Sequence, residues 1–177
     1  MPGSNEAATS PFSTDWYEST TSDLEQGDIF VDFPVVGLDW DGASGSLKAV
    51  RARVCAVVLT QTCDIAKSAQ TSLLLAQAIP YEDLIKLPNM SHFTGKGKKF
   101  LLEGTAISEL LLAPCPGRFD AHLVVLFRNL YVLPKQYVLA HRDEKSARLC
   151  SPYKEHLAQA YARYMMRVGL PVAIPDF

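Results

Sequence analysis

Two apolar runs of strand length, residues 53–60 and 72–79, lie close together and are joined by a polar connection, residues 61–71. One is rich in β-branched residues and the other in leucine, so both read as buried strands, the second ended by Pro80. Upstream, Gly27-Asp28-Ile29-Phe30-Val31-Asp32-Phe33-Pro34 alternates polar and apolar over part of its length and stops at a proline, as a half-buried strand does. The stretch 27–79 is therefore expected to fold back on itself as consecutive curled strands, not as parallel strands spaced by helices. That makes the chain mainly β, in the α+β class.

Residues 37–48, with Gly37, Gly42 and Gly45 among small polar residues, read as a mobile loop in which Trp40 is placed to act as a lid. Residues 81–87 read as a short helix, and 96–99 as a basic turn leading into a strand at 100–102. Residues 105–112 read as a helix broken at Pro114-Cys115-Pro116-Gly117, and 122–133 as one or two strands around Asn129, followed by short edges at 137–139 and 148–150. The last element is expected to be a long amphipathic helix. Ser151 is a suitable N-cap, Pro152 fits the first helical position, and Gly169 with Pro171 supplies the stop. Tyr153, Leu157, Ala160, Tyr161, Tyr164 and Met165 share its apolar arc, opposite Glu155, His156, Gln159, Arg163 and Arg167. Residues 1–23 read as a flexible N-terminal arm with Phe12, Trp16 and Tyr17 as docking points, which leaves 24–177 as a single domain.

A chain of 177 residues, 48% of them hydrophobic, can enclose one sizeable core. No apolar run approaches the roughly 18 residues of a membrane span. The N-terminus also lacks the basic start and apolar stretch of a secretory signal, so a cytoplasmic protein without a membrane partner is expected. Cys55, Cys63, Cys115 and Cys150 are widely scattered and read as free thiols, Cys55 as a small hydrophobe. The net charge of −2 argues against a general nucleic-acid coat. Residues 1–95, however, hold 5 Lys or Arg against 12 Asp or Glu, whereas 96–168 hold 12 against 6. Such asymmetry means either an acidic and a basic face or two halves that attract each other.

The run 27–34 resembles the start of the PemK/MazF toxin ribonucleases, whose SH3-like barrel begins with a Gly-Asp-Ile strand ending in Asp-Phe-Pro or similar. The resemblance covers about residues 25–80 and implies a small SH3-like barrel, here with short inserted helices. It also implies an arginine just before the next strand that stabilises the phosphate during RNA cleavage, and Arg51 and Arg53 match that position. A metal-free ribonuclease needs such a cation for the phosphorane charge and a second group for the 2′-hydroxyl proton. The family's Thr or Ser at the end of the third strand has no counterpart in Gln77-Ala78-Ile79-Pro80, which favours a barrel kept for binding. Residues 60–65, together with 151–156 and 167–171, are further similar to uncharacterised bacterial proteins met among phage-defence and toxin–antitoxin genes. That likeness implies a role in bacterial conflict.

Polar groups gather in Thr60-Gln61-Thr62-Cys63-Asp64-Ile65 at the end of a buried strand, where sites are commonly built. Cys63 and Asp64 read in one of two ways. In the first, the carboxylate caps backbone amides in a turn over a buried thiol; in the second, the thiol is a nucleophile served by His92, His122, His141 or His156. The spacing supports no metal site, and no cofactor motif is present. Lys98 and Lys99 read as an exposed basic loop that, with His156, Arg163 and Arg167, adds affinity for RNA or DNA if the fold gathers them on one face. The helix dipole accounts equally well for Arg163 and Arg167.

The leading expectation is thus a non-catalytic barrel of a bacterial conflict system that binds nucleic acid or a protein partner. Its main groove is expected to be lined by Arg51 or Arg53 with Gln61, Thr62, Cys63 and Asp64, and two copies are expected to pair through strand edges or helices as a homodimer. The alternatives are an active metal-independent endoribonuclease and a Cys63-dependent hydrolase.

Overall fold

A computed structural model describes residues 16–166. Seven strands form one sheet, with every ladder antiparallel. They are β1 (Tyr17–Glu18), β2 (Asp28–Asp41), β3 (Ser46–Val58), β4 (Ser72–Pro80), β5 (Glu109–Leu112), β6 (Leu123–Pro134) and β7 (Ala147–Leu149), in the order β1-β7-β2-β3-β4-β6-β5. The stretch 27–79 folds back on itself as β2, β3 and β4 in succession. The expected barrel, however, is not closed. β1 has two residues and β5 four, too few to run a ladder across the gap. Across that gap the Tyr17 hydroxyl donates to the carbonyl of Ala113, and the Tyr17 ring stands edge-on to Phe119 at 5.6 Å.

Alternation along each strand gives the sheet two apolar faces. On one, Ile29, Val57, Ala76, Val125, Phe127 and Leu149 pack with Leu157 and Ala160 of α5 (Tyr153–Met165). The opposite face is covered in two places. Phe30, Phe33, Ala56, Val58, Leu73 and Leu75 lie with Ile65 of α1 (Thr62–Ile65) and Val138 of α4 (Lys135–Ala140). Val124 and Leu126 lie under Tyr81 and Leu84 of α2 (Tyr81–Leu84), Phe93, and Leu101 of α3 (Lys96–Leu102).

Several elements differ from the sequence reading. Pro34 does not end β2, because beyond Ile29 one edge of that strand has no strand partner and a missing N–H is tolerated there. The residues read as a mobile loop, 37–48, are the outer parts of β2 and β3, paired in register from Gly37↔Val50 to Asp41↔Ser46. Their turn is fixed by Asp41, whose carboxylate accepts from the Ala43 amide at 3.0 Å and the Ser44 hydroxyl at 2.8 Å. The Lys48 hydrogen bond, then the Ser44 and Ala43 contacts, hold that carboxyl down at about 2. Gly45, at φ 64°, supplies the left-handed residue that lets the chain return.

The basic turn at 96–99 and the strand at 100–102 are one helix, α3, seated on Leu101. Residues 105–112 end in the strand β5 because pairing with β6 overrides the helical look of the leucines. The edge read at 137–139 is α4, which starts after Pro134 and buries Val138. The C-terminal helix is not long: α5 has 13 described residues. Ser151 does not cap it, since the cap position is Pro152 and the Lys154 amide is satisfied by the Cys150 carbonyl at 3.0 Å. Gly169 and Pro171 lie outside the described residues, as does Phe12. Trp16 stacks on Tyr153 at 3.9 Å, so the start of the described chain is tied to α5.

The charge asymmetry is resolved by attraction between the two halves. Asp28 is 0% exposed and Arg148 only 1%. Arg148 grips Asp28 in a fork, Nε to Oδ1 at 2.6 Å and Nη2 to Oδ2 at 3.0 Å. Its remaining donors reach the Thr21 hydroxyl, the Glu25 carboxylate at 2.7 Å and the Asp23 carbonyl, so the guanidinium is fully satisfied. Lys145 donates to the carbonyls of Thr21 and Asp23 and lies 3.6 Å from Asp28, while Lys154 joins Glu25 at 3.0 Å and Glu18 at 3.5 Å. The aspartate of the Gly27-Asp28-Ile29 motif is therefore a structural anchor.

Candidate functional site

From Val36 outward, β2 and β3 pair with each other alone and form a two-stranded arm. Directly opposed residues share a face, so Pro34↔Arg53, Val36↔Arg51, Leu38↔Ala49 and Trp40↔Leu47 line one side. On that side Val36, Leu38, Trp40 and Leu47 are all exposed, Leu38 at 71% and Trp40 at 62%. Large apolar side chains left together in water mark an interaction surface. The arm's acidic residues, Asp39 and Asp41, lie on the other side, where Lys48 pairs with Asp41 at 2.5 Å.

At the base of the arm, Pro34, Val36, Arg51, Arg53 and Tyr137 line an open groove of about 530 Å³. The Tyr137 hydroxyl donates to the Pro34 carbonyl at 2.9 Å and braces the arm where it leaves the core. The two arginines differ. Arg53 is clamped by Asp32, its Nε 2.7 Å from the carboxylate and its Nη2 2.7 Å from the carbonyl. Arg51 is exposed and has no charged partner among the described residues. Trp40, near the tip of the arm, is not among the residues that line this groove.

The polar connection is elsewhere. Gln61, Thr62, Cys63 and Asp64 sit beyond the far end of β3, roughly 20 Å along the strand from Arg53, so the expected common groove does not form. Gln61 and Thr62 have structural work: Gln61 precedes α1, and the Thr62 hydroxyl accepts from the Gln26 amide at 3.1 Å. Asp64 does not cap amides but pairs with Lys67 at 2.6 Å on the surface. The Cys63 thiol is exposed, not buried, and its contact is the Gln61 side-chain oxygen at 3.7 Å. Among the described residues no histidine is bonded to the thiol: Nδ1 of His92 and of His141 bond the carbonyls of Asn89 and Tyr137, His156 stands edge-on to Tyr153, and His122 lies beside α3 and β5. Cys55 is half-buried, and burial pushes its thiol up to about 12. Among the described residues no three His, Cys, Asp or Glu side chains converge as metal ligands do.

The remaining basic candidates are spread over α3 and α5. Lys98 lies over the Tyr81 ring at 5.1 Å, and Lys99 pairs with Glu103 at 3.6 Å. His156 borders a cleft between α3, β5 and α5, and Arg163 donates to the Gly104 carbonyl at 3.1 Å. Arg167 lies outside the described residues. None of these shares the arm's face. The sequence points to the arginines and to Trp40 but not to Val36, Leu38 and Leu47 beside them. The alternation of Val36, Leu38 and Trp40 was the available signal, masked by the intervening Gly37.

No helix among the described residues is long and apolar enough to cross a membrane. No protein-family model matches the chain, and no curated protein matches it.

Proposed function

We propose that the chain binds single-stranded nucleic acid along the exposed face of the β2–β3 arm. One observation carries this reading: the strand register places Arg51, Arg53, Trp40 and a row of aliphatic side chains on one water-facing side, with the arm's carboxylates on the other. An indole offered to solvent is a stacking platform for any base, and Arg51 and Arg53, about 13 Å and about 20 Å away along the ribbon, neutralise phosphates. Arg51 is the better phosphate ligand, since Asp32 already holds Arg53. Within the conflict-system setting implied by the sequence resemblance, the arm is the part that engages the target strand.

The test is fluorescence anisotropy with labelled single-stranded RNA and DNA oligomers, titrated over a range of salt without added metal. Binding should weaken with salt, and Arg51→Ala should lower the slope of log affinity against log salt by about 0.7. Absence of binding at low salt for the folded protein overturns the reading and leaves a protein partner as the occupant of the arm. Cleavage of the RNA that disappears in Arg51→Ala or Arg53→Ala would instead make the chain the metal-independent endoribonuclease.

A further inference from the structure

A second polar cluster lies on the opposite end of the sheet, away from the arm. The β4–β6 register breaks between Leu126 and Leu130, and the resulting bulge carries Arg128. Bulges of this kind re-aim a side chain at a site. Here Arg128 Nη2 donates to the hydroxyl of Ser108 at 3.0 Å, and Ser108 is 3% exposed. Ser108 in turn supports the neighbouring Glu109 carboxylate through its own amide and hydroxyl. Glu109 and Arg128 form no ion pair, so the carboxylate stays available, and the remaining donors of the exposed guanidinium have no partner among the described residues.

Ser108 and Glu109, with the exposed Arg128 at the mouth, line a cavity of about 370 Å³ whose walls include His92, Phe93, Phe100 and Ile107. That volume falls at the lower end of small-molecule sites, roughly 300–1,000 Å³, which combine apolar walls with a few fixed polar groups. The wall is closely packed: a Cβ on Gly97 would stand 1.8 Å from the His92 carbonyl oxygen, so the backbone of α3 lies directly against the turn that carries His92. Phe100 and Ile107 remain more than half exposed at the rim, where a flat ring would cover them.

We propose that this cavity is a site for a purine nucleoside monophosphate whose base presents paired N–H donors, as guanine does. The Glu109 carboxylate accepts from the base edge, the ring lies against Phe100 and Ile107, and the phosphate is held by Arg128 at the mouth. Burial raises the Glu109 carboxyl above its usual range, with Arg128 and His92 opposing that shift. A base that donates two hydrogen bonds favours the ionised form, so binding and proton release are coupled.

Isothermal titration calorimetry with GMP, AMP, CMP, UMP and guanosine tests this. GMP is expected to bind best. Glu109→Gln is expected to weaken GMP about tenfold or more and erase its advantage over UMP. Arg128→Ala should cost GMP more affinity than guanosine, so that the advantage of the phosphate is lost. Phe100→Ala, at the exposed rim, should weaken every purine without altering the fold seen by circular dichroism. Trp40→Ala should bind GMP as the wild type does, which separates this site from the arm. Failure of every nucleotide to bind the folded wild type overturns the proposal, as does equal affinity for GMP and UMP or indifference to both Glu109→Gln and Arg128→Ala.

Discussion

Arg148 and Arg51 belong to the same sheet, yet their surroundings are opposite. Arg148 is sealed from water and meets carboxylates, a hydroxyl and a carbonyl with every donor it has. Arg51 stands in solvent beside Val36 with no such company. Burying a guanidinium is tolerable only when its partners are fixed, so the region around Arg148 is built for structure. Leaving a guanidinium, an indole and several aliphatic side chains in water stabilises no fold, which is the ground for proposing an occupant of the arm from outside the chain.

The contrast breaks first at Arg148. Arg148→Ala leaves Asp28 buried without its fork and should cost about 3–5 kcal/mol, read from urea denaturation. Asp28→Leu combined with Arg148→Met should recover part of that loss; a double variant no better than the single would show that the pair contributes through more than charge compensation. The arm should respond in the other quantity. Trp40→Ala should weaken single-stranded RNA by about 1–3 kcal/mol while leaving the melting temperature nearly unchanged. A fall in stability equal to the fall in binding would mean that the arm is part of the core after all.

Acid should act on the knot. At Glu25 burial raises the carboxyl pKa, but the Lys154 hydrogen bond and the charges of Arg148, Lys154 and Lys145 outweigh it, so the folded-state value lies below the ordinary 4.5. A carboxyl held low contributes stability above its unfolded value, and that stability is lost as pH falls through the folded value. Glu25→Gln should therefore flatten the decline of stability below about pH 4.5, measured by denaturation at stepped pH. The smallest effect is expected at Cys63, exposed on α1. Cys63→Ser should change stability by less than about 0.5 kcal/mol and leave RNA binding intact. Loss of a hydrolytic activity on that substitution would revive the thiol nucleophile.

The strands legible in the sequence were those with a strong apolar signal. Residues 72–79 and the apolar start of 122–133 read as buried runs, and Ile29, Phe30 and Phe33 set the inner part of β2. What could not be read depended on partners distant in the chain. Residues 37–48 look like a loop because their apolar residues are covered by nothing, and it is pairing of β2 with β3 that makes them strands. Val138 and Leu101 each anchor a helix too short to display a period. Ser108, Glu109 and Arg128 come together only through the β5–β6 ladder and its bulge, and local sequence holds no trace of that juxtaposition. Asp28 stands out as part of a motif, but Arg148, which grips it in a fork, lies 120 positions away.

The arm's independence from the rest of the sheet has an evolutionary consequence. Since its outer strands touch only one another, residues can be inserted or deleted opposite each other near the Asp41 turn without moving a core contact. One such insertion turns the tip over, whereas two restore its facing and lengthen the ribbon by about 7 Å. Reach can therefore drift in quantised steps among descendants of this chain, while the ionic knot at the other end holds the scaffold constant.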